Sequence, residues 1–148
     1  MSMPIEGIVV PHTHWDRAWY LPFQAYRLRL VEVMAELLGL LESNALPLFV
    51  LDGQTVVLED HLAIRPQDRP RIQRLAAAGR IRLGPWYTMP DCFLARPESL
   101  IRNLARGLAM AGEIGGVSRV GYVPDSFGHF AQLPQILAGF GIDSFLFM

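Results

Sequence analysis

Short apolar segments alternate with longer amphipathic segments along the whole chain, and this alternation limits the folds that the sequence can adopt. The apolar segments have the length of β-strands, and they cover residues 7–10, 48–51, 81–83, 120–123 and 144–147. The segments between them repeat apolar residues every three or four positions, which is typical of helices that pack on one face. Because strands and helices follow one another throughout, we predict an α/β fold of parallel strands joined by right-handed crossovers.

Proline and glycine mark where the predicted helices begin and end. Proline fits the first turn of a helix and glycine fits the residue just after its end. The resulting helices run from Pro22 to Ser43–Asn44, over residues 55–62, from Pro66 to Gly79, over residues 96–113 and over residues 133–140. With 148 residues and no linker or repeat, the chain is predicted to form one domain.

The composition excludes several classes of function. The chain is 51% hydrophobic and 18% charged, with 13 basic and 14 acidic residues, so it carries no basic patch suited to nucleic acid. A single cysteine, Cys92, rules out an internal disulfide framework. The sequence has no membrane-span pattern and no secretion signal, so we expect a cytoplasmic protein without a membrane or nucleic-acid partner.

Chemically active side chains follow four of the predicted strands. The loops after these strands hold His12–Trp19, Asp52–Gln54, Trp86 to Asp91, and Asp125–His129. In parallel α/β folds these loops meet at the carboxyl edge of the sheet, where ligands bind. The pattern of carboxylates and aromatic rings therefore predicts one polar pocket with aromatic walls, which is more typical of an enzyme than of a binding module.

The run His12-Thr13-His14-Trp15-Asp16 is a candidate metal site. An extended backbone alternates its side chains, so His12, His14 and Asp16 project to one side, and zinc accepts both imidazole and carboxylate ligands. Asp125 is the carboxylate best placed to complete this site. The alternatives are a polar turn for the histidines and, for Asp125, an N-cap of the helix that begins near Leu133.

Other side chains in these loops have two interpretations each. Trp15 and Trp19 either pack in the core or stack on a sugar face. Asp52 and Asp91 either cap a neighbouring helix or contact substrate. Arg17 is predicted to neutralise the metal-site carboxylates or to bind an anionic group of the substrate.

Two histidines are predicted outside the metal site. His61 lies within a helical pattern and is interpreted as a surface or packing residue. His129 follows Asp125 by four residues, so it either supports the site from behind or caps the turn.

Several motifs together resemble those of the family 38 α-mannosidases. The matching stretches, which cover nearly the whole chain, are Pro11-His12-Thr13-His14-Trp15-Asp16-Arg17, Leu51-Asp52-Gly53-Gln54-Thr55, Gly84-Pro85-Trp86-Tyr87, Glu98-Ser99-Leu100-Ile101-Arg102-Asn103-Leu104 and Tyr122-Val123-Pro124-Asp125-Ser126-Phe127-Gly128. Among family members, the chain looks most like the bacterial cytoplasmic branch that includes mannosylglycerate hydrolases.

The resemblance implies a zinc-dependent retaining α-mannosidase that acts on small α-mannosides. It implies that His14, Asp16 and Asp125 bind zinc and that Asp125 is also the nucleophile. It implies that Trp19 and Phe127 line the sugar subsite with Asp91 close to it. By the same resemblance His12 is not a metal ligand. Of the three ligands that the alternation suggested, only His14 and Asp16 then remain.

The resemblance covers only the N-terminal part of a seven-stranded β/α catalytic domain. The family's remaining zinc-binding histidine and its acid/base carboxylate lie farther along than this sequence extends. Beyond Asp125 the only acidic residue is Asp143, and beyond His129 there is no histidine. We therefore expect an incomplete enzyme with little or no hydrolase activity, and self-association or a missing C-terminal portion stays open.

Two other functions fit the same residues. A zinc amidohydrolase or deacetylase of a β/α-barrel fold also uses histidine and aspartate after an early strand, with zinc activating water. A non-catalytic sugar-binding remnant would keep the pocket without turnover. Covalent capture of a sugar on Asp125 distinguishes the glycosidase from both.

Overall fold

The structure, a computed structural model, describes residues 5–147. Its elements in chain order are α1 (Phe23–Glu42), β1 (Phe49–Leu51), α2 (Val56–Leu62), a 3-10 turn (Pro66–Asp68), α3 (Arg69–Ala77), β2 (Ile81–Leu83), α4 (Pro97–Ile114), β3 (Val120–Val123), α5 (Leu133–Gly139) and β4 (Ser144–Phe147). The mixed α/β class predicted from the sequence is confirmed. None of the helices within the described residues is long and apolar enough to cross a membrane.

The strands pair in parallel, as predicted. β1 pairs with β2 from Phe49↔Ile81 to Leu51↔Leu83, and β3 pairs with β4 along four residues each. The two pairs form separate sheets, and a single bridge links Leu83 of β2 to Val117, three residues before β3. These four strands are too few to show a seven-stranded barrel.

The prediction of a first strand over residues 7–10 is wrong. This segment has no strand assignment, and Ile8 and Val9 are 85% and 89% exposed. Contact with the sheet begins only at Pro11, whose carbonyl accepts the Val50 N–H at 2.9 Å, and at the bridge His12↔Val50. A segment held on one side by so few bonds gains neither a ladder nor burial, so its apolar side chains stay in solvent.

The helices begin and end close to the proline and glycine residues from which their boundaries were predicted. Pro22 directly precedes α1, and Asn44, just after the end of α1, adopts a left-handed φ of 62°. Gly115 ends α4 in the same left-handed region, with φ 106°. The segment that begins at Pro66 starts with a 3-10 turn before α3 and ends at Gly79.

Two apolar cores lie beneath the loops that carry the polar residues. The first packs α1, α2 and α3 against β1 and β2, with Met34, Leu38 and Leu58 fully buried. The second packs α4 and α5 against β3 around Trp86, which is fully buried and donates its indole N–H to the Tyr122 carbonyl at 3.1 Å. Cys92 is a small buried member of the second core.

Gly107 lets α4 approach the loop that follows β2. A Cβ atom at this position would lie 2.2 Å from the Pro85 carbonyl oxygen and 2.2 Å from the Trp86 carbonyl carbon. Both contacts are with backbone, which cannot rotate away as a flexible side chain can. The helix and the loop are therefore in contact only because residue 107 has no side chain.

We expect Gly107→Ala to lower the free energy of unfolding by about 1–3 kcal/mol, the usual cost of overpacking. Gly112→Ala is the matched control, because it lies in the same helix and a Cβ there meets nothing within 4 Å. It should be stabilising by about 0.5–1 kcal/mol through helix propensity. Urea unfolding of both variants checks this, and equal effects would show that close approach does not determine the cost.

An ionic network that is buried at His61 and Asp68 and open to solvent at Glu42 joins α1, α2 and α3. His61 is fully buried, and its Nε2 lies 3.1 Å from Asp68 Oδ2. Arg71 donates to Asp68 Oδ1 at 3.0 Å and to Glu42 Oε2 at 2.7 Å. Burial lowers the pKa of His61 and outweighs the opposing effect of the Asp68 carboxylate. Burial would raise the pKa of Asp68, but hydrogen bonds from Arg71 and His61 outweigh it and lower that pKa. His61 is therefore a packing residue, one of its two predicted roles, and is held neutral.

We expect stability to fall as the pH falls from about 7 to about 5, because His61 takes up a proton more readily in the unfolded chain, near pH 6.5, than in the folded one. When the pKa of a histidine is lower in the folded state, the free energy of unfolding keeps its full value above the unfolded-state pKa and falls below it. His61→Gln should flatten this dependence, whereas His12→Gln, at an exposed histidine, should not. Urea titrations across this pH range measure the slopes. If His61→Gln keeps the wild-type slope, the assignment is wrong.

Candidate active site

One open cavity of about 510 Å³ contains most of the residues that the sequence singled out. It lies between the loop after the His12 bridge and the loop after β3. Its lining residues are His12, His14, Asp16, Ala18, Trp19, Tyr122, Pro124, Asp125 and Phe127. The first and fourth predicted loops therefore meet at one edge, although more than a hundred residues separate them in sequence.

His14 is the centre of this cavity. Its Nε2 lies 3.8 Å from Asp16 Oδ1 and 3.6 Å from Asp125 Oδ2. Both ring nitrogens are buried, and neither has a hydrogen-bond partner within the described chain. An unpaired buried nitrogen that faces two carboxylates is costly unless a further group satisfies it.

These three side chains are of the types that bind a divalent metal, and two of their separations approach those of a metal site. Donor atoms about 2.0–2.1 Å from a tetrahedral zinc lie about 3.3 Å from one another. The two distances from His14 Nε2 are a few tenths of an ångström longer. No group of three or more His, Cys, Asp or Glu side chains in residues 5–147 lies close enough together to hold a metal ion as the structure stands. The side chains of Asp16 and Asp125 are 42% and 63% exposed, so they are free to change rotamer.

Asp52 lies behind His14 and lines no part of the cavity. It is fully buried, in a left-handed backbone conformation with φ 45°. Its Oδ1 accepts the Gly53 N–H at 2.6 Å, and its Oδ2 accepts the Trp15 N–H at 2.8 Å. Burial raises the pKa of Asp52, and these hydrogen bonds oppose the shift. Both predicted roles, helix cap and substrate contact, are wrong, because its oxygens are used within the loops and closed to solvent.

Gln54 is a structural residue of this site that the sequence reasoning did not identify. Its amide nitrogen donates to the Trp15 carbonyl at 2.6 Å and to Asp52 Oδ2 at 2.8 Å. Its amide oxygen accepts the Met89 N–H at 3.0 Å. The available signal was its position in the loop after β1, two residues after Asp52, where the sequence already predicted polar side chains to meet.

Aromatic side chains form the walls of the cavity. Trp19 and Phe127 are 76% and 87% exposed and line it from the two opposing loops. Trp15 instead packs against the first core and meets Tyr26 edge to face at 6.0 Å. The prediction that at least one of the two tryptophans packs in the core is confirmed. Exposed rings beside carboxylates suit the apolar face of a sugar.

Tyr122 lines the cavity, although the sequence reasoning gave it no role in the site. Its hydroxyl lies 3.3 Å from His12 Nδ1, and the two rings meet edge to face. Burial, together with the nearby Asp52 carboxylate, raises the pKa of Tyr122, so the hydroxyl stays protonated and can donate to the imidazole. His12 thus lies at the floor of the cavity with a protein partner of its own.

Asp91 and Arg17 do not line the cavity. The Oδ1 atom of Asp91 accepts the Phe93 N–H at 3.3 Å within its own turn. Arg17 forms a two-pronged ion pair with Asp60 at 2.6 and 2.8 Å and lies over the Phe23 ring. The hydrogen bond to Asp60 raises the pKa of Arg17. Arg17 is therefore used to anchor its loop to α2.

His129 takes neither of its two predicted roles. Its ring lies edge to face with Phe145 and Phe147 of β4, with centroids 5.1 Å away in each case. Both of its nitrogens are buried without a hydrogen-bond partner in the part of the chain that the structure describes. Asp125 likewise does not cap α5, whose N-cap is Gln132.

Comparison with known proteins decides the family. The sequence profile of the glycosyl hydrolases family 38 N-terminal domain matches residues 4–148. The chain belongs to this family. A protein of Halalkalibacterium halodurans, provisionally named a mannosylglycerate hydrolase, is 40% identical over 94% of this chain. Human alpha-mannosidase 2C1 is 32% identical over 91% of it.

A solved structure supports the same relation. The crystal structure of an alpha-mannosidase from Enterococcus faecalis matches with a TM-score of 0.90 and 37% identity over 93% of this chain. The chain spans 16% of that structure's length and 16% of the Halalkalibacterium protein. The family 38 domain described here is thus about a sixth of the length of these relatives.

Proposed function

We propose that this chain carries the nucleophile and three metal-binding side chains of a zinc-dependent retaining α-mannosidase. One observation carries the proposal: His14 Nε2, buried and unpaired within the described residues, faces Asp16 and Asp125 in a cavity walled by Trp19 and Phe127. Membership of family 38 supports the glycosidase chemistry. The names of the relatives support α-mannosides as substrates.

In this proposal His14, Asp16 and Asp125 would hold the zinc. When bound, zinc would supply Lewis-acid contacts to vicinal sugar hydroxyls and so orient the ring. Trp19 and Phe127 stack on the sugar and exclude water from its apolar face. Asp91, which the resemblance places near the subsite, would contact substrate only if its turn moved toward the cavity.

Asp125 is the proposed nucleophile. One of its carboxylate oxygens attacks the anomeric carbon as the glycosidic bond breaks, and the leaving oxygen departs with the bonding electrons and takes up a proton. The product of this step is a mannosyl ester on Asp125, which water then hydrolyses with net retention. Its 63% exposure leaves the carboxylate open to a substrate in the cavity.

A retaining mechanism also needs a carboxylic acid about 5–5.5 Å from the nucleophile. We assign no residue of this chain to that role, because Asp16 is used as a ligand and Asp143 does not line the cavity. We propose that the acid and a further zinc ligand come from protein outside these 148 residues. The parallel order of the described strands supports a seven-stranded β/α domain of which this chain forms the first part. A cytoplasmic location is proposed from the composition alone.

Zinc binding should depend on His14 and Asp16. We expect the dialysed chain to bind one zinc ion and Asp16→Ala to weaken binding at least about 100-fold, since even outer-shell substitutions cost about 10–100-fold. Competition with a chromogenic chelator measures the affinity. Asp91→Ala is the matched control, because Asp91 lies in a neighbouring loop but does not line the cavity. Unchanged affinity in Asp16→Ala would contradict the ligand assignment.

Asp125 should be labelled by an activated sugar even though ordinary turnover is absent. In 5-fluoro-mannosyl fluoride, fluoride leaves without needing a proton, so attack by Asp125 can proceed without the acid. We expect a covalent adduct on Asp125 in the zinc-loaded chain, located by peptide mass spectrometry, and negligible hydrolysis of an aryl α-mannoside. Asp125→Asn should abolish the label, and Asp143→Asn should keep it.

Rapid hydrolysis of the aryl mannoside by the chain alone would contradict the need for an external acid. An unlabelled Asp125 together with hydrolysis of an N-acetylated substrate would favour the amidohydrolase alternative.

A further inference from the structure

Two side chains of the loop after β1 hold both backbone polar groups of Trp15. Asp52 Oδ2 accepts the Trp15 N–H at 2.8 Å, and Gln54 Nε2 donates to the Trp15 carbonyl at 2.6 Å. The same Gln54 nitrogen donates to Asp52 Oδ2 at 2.8 Å, so the two side chains also fix each other. Trp15 lies between His14 and Asp16, so its peptide groups set the direction of both neighbouring side chains.

The Asp52 carboxylate is expensive to keep in this position. It is fully buried, and in residues 5–147 no arginine forms an ion pair with it. Its left-handed φ of 45° adds backbone strain, because this residue is not glycine. Hydrogen bonds from Gly53, Trp15 and Gln54 are the only compensation for this buried carboxylate within the described residues, and none of them comes from a charged group. A buried carboxylate in a strained backbone conformation points to a functional requirement.

Asp52 also faces the back of the His14 ring. Its Oδ1 lies 3.8 Å from His14 Nδ1, which is longer than a hydrogen bond. No other group in the described chain forms a hydrogen bond with that nitrogen. The Oδ1 atom already accepts the Gly53 N–H and has a second lone pair free. Hydrogen bonds in sites without their ligand are often long and shorten when the ligand binds.

We propose that Asp52 and Gln54 are positioning residues that hold His14 and Asp16 ready for a metal ion. Asp52 selects the His14 tautomer with its proton on Nδ1, which leaves the Nε2 lone pair directed at Asp16 and Asp125. Gln54 fixes the Trp15 carbonyl and so the orientation of Asp16. The metal-binding part of this inference rests on the proposed function, whereas the tautomer does not.

The contacts of this clamp, Asp52 with Gln54, extend to the other loops of the site. Gln54 Oε1 accepts the Met89 N–H from the loop after β2. Gly53, between the two clamp residues, packs against Tyr122, where a Cβ would lie 2.8 Å from the ring and 3.1 Å from the carbonyl oxygen. Tyr122 precedes Asp125 by three residues in the same chain segment. The clamp therefore sets the first-loop ligands relative to the strand that delivers Asp125.

The first test reads the His14 tautomer in the metal-free chain. Long-range ¹H–¹⁵N spectra of histidine-labelled protein at about pH 8 distinguish the two neutral tautomers, and His14→Gln assigns the signal. We expect the Nδ1-protonated form in the wild type and its loss in Asp52→Asn. Asp68→Asn is the matched control, since it removes a buried carboxylate bonded to His61 and should change only the His61 signal. A purely structural role for Asp52 would lower the melting temperature without moving the tautomer.

The second test measures zinc affinity with the same variants. We expect Asp52→Asn and Gln54→Ala to weaken zinc binding about 10–100-fold, as outer-shell substitutions do, and Asp68→Asn to leave it unchanged. Melting temperatures of the metal-free variants show that each is folded.

The two tests separate the clamp from the proposed function. An unchanged His14 tautomer in Asp52→Asn, or zinc affinity in both clamp variants within twofold of Asp68→Asn, would overturn the clamp. If the wild type binds no zinc, the proposed metal function fails, and the tautomer measurement still decides the role of Asp52.

Discussion

The position of the candidate metal ligands depends on one short parallel contact with β1. The Val50 N–H donates to the Pro11 carbonyl at 2.9 Å, and the Val50 carbonyl accepts the Thr13 N–H at 3.4 Å. Before this contact the chain is exposed, and after it the chain turns into the cavity. The two bonds bring His14 and Asp16 to the carboxyl edge of the sheet, where the clamp and Asp125 meet them. This contact fixes the point at which the first loop leaves the sheet, and the His12–Tyr122 contact then joins the loop to the strand that leads to Asp125.

Most of the fold could be predicted because it depends on local patterns. Each helix has an apolar stripe together with a proline or glycine near one end, so α1 and α4 were placed within a few residues. Strands β2, β3 and β4 were short apolar runs with clear borders. Residues 7–10 have the same composition and yet form no strand, because a strand also requires a partner. Pairing is not written in the segment itself, so this error could not be avoided from one sequence.

Most of the residues that line the candidate site could be predicted from the sequence, but the residues that hold them in position could not. His14, Asp16, Asp125, Trp19 and Phe127 share one cavity, as expected when parallel strands deliver their loops to one edge. The support comes from long-range contacts. Asp52 and Gln54 act through the peptide groups of a residue nearly forty positions away, and Arg17 pairs with Asp60 across 43 positions. No local pattern reports which carboxylate will meet which arginine, so Arg17 was assigned to the cavity when it serves as an anchor.

Because Asp52 and Gln54 of the clamp form hydrogen bonds with the peptide groups of Trp15, these contacts do not depend on the side chain at that position. The Trp15 indole packs against Tyr26 and the first core. The main chain and the side chain of this one residue therefore have separate roles. The main chain at position 15 determines how the ligands are aimed, and the side chain determines how well α1 packs. Natural variation at position 15 can therefore follow the needs of the core while the geometry between positions 14 and 16 is preserved.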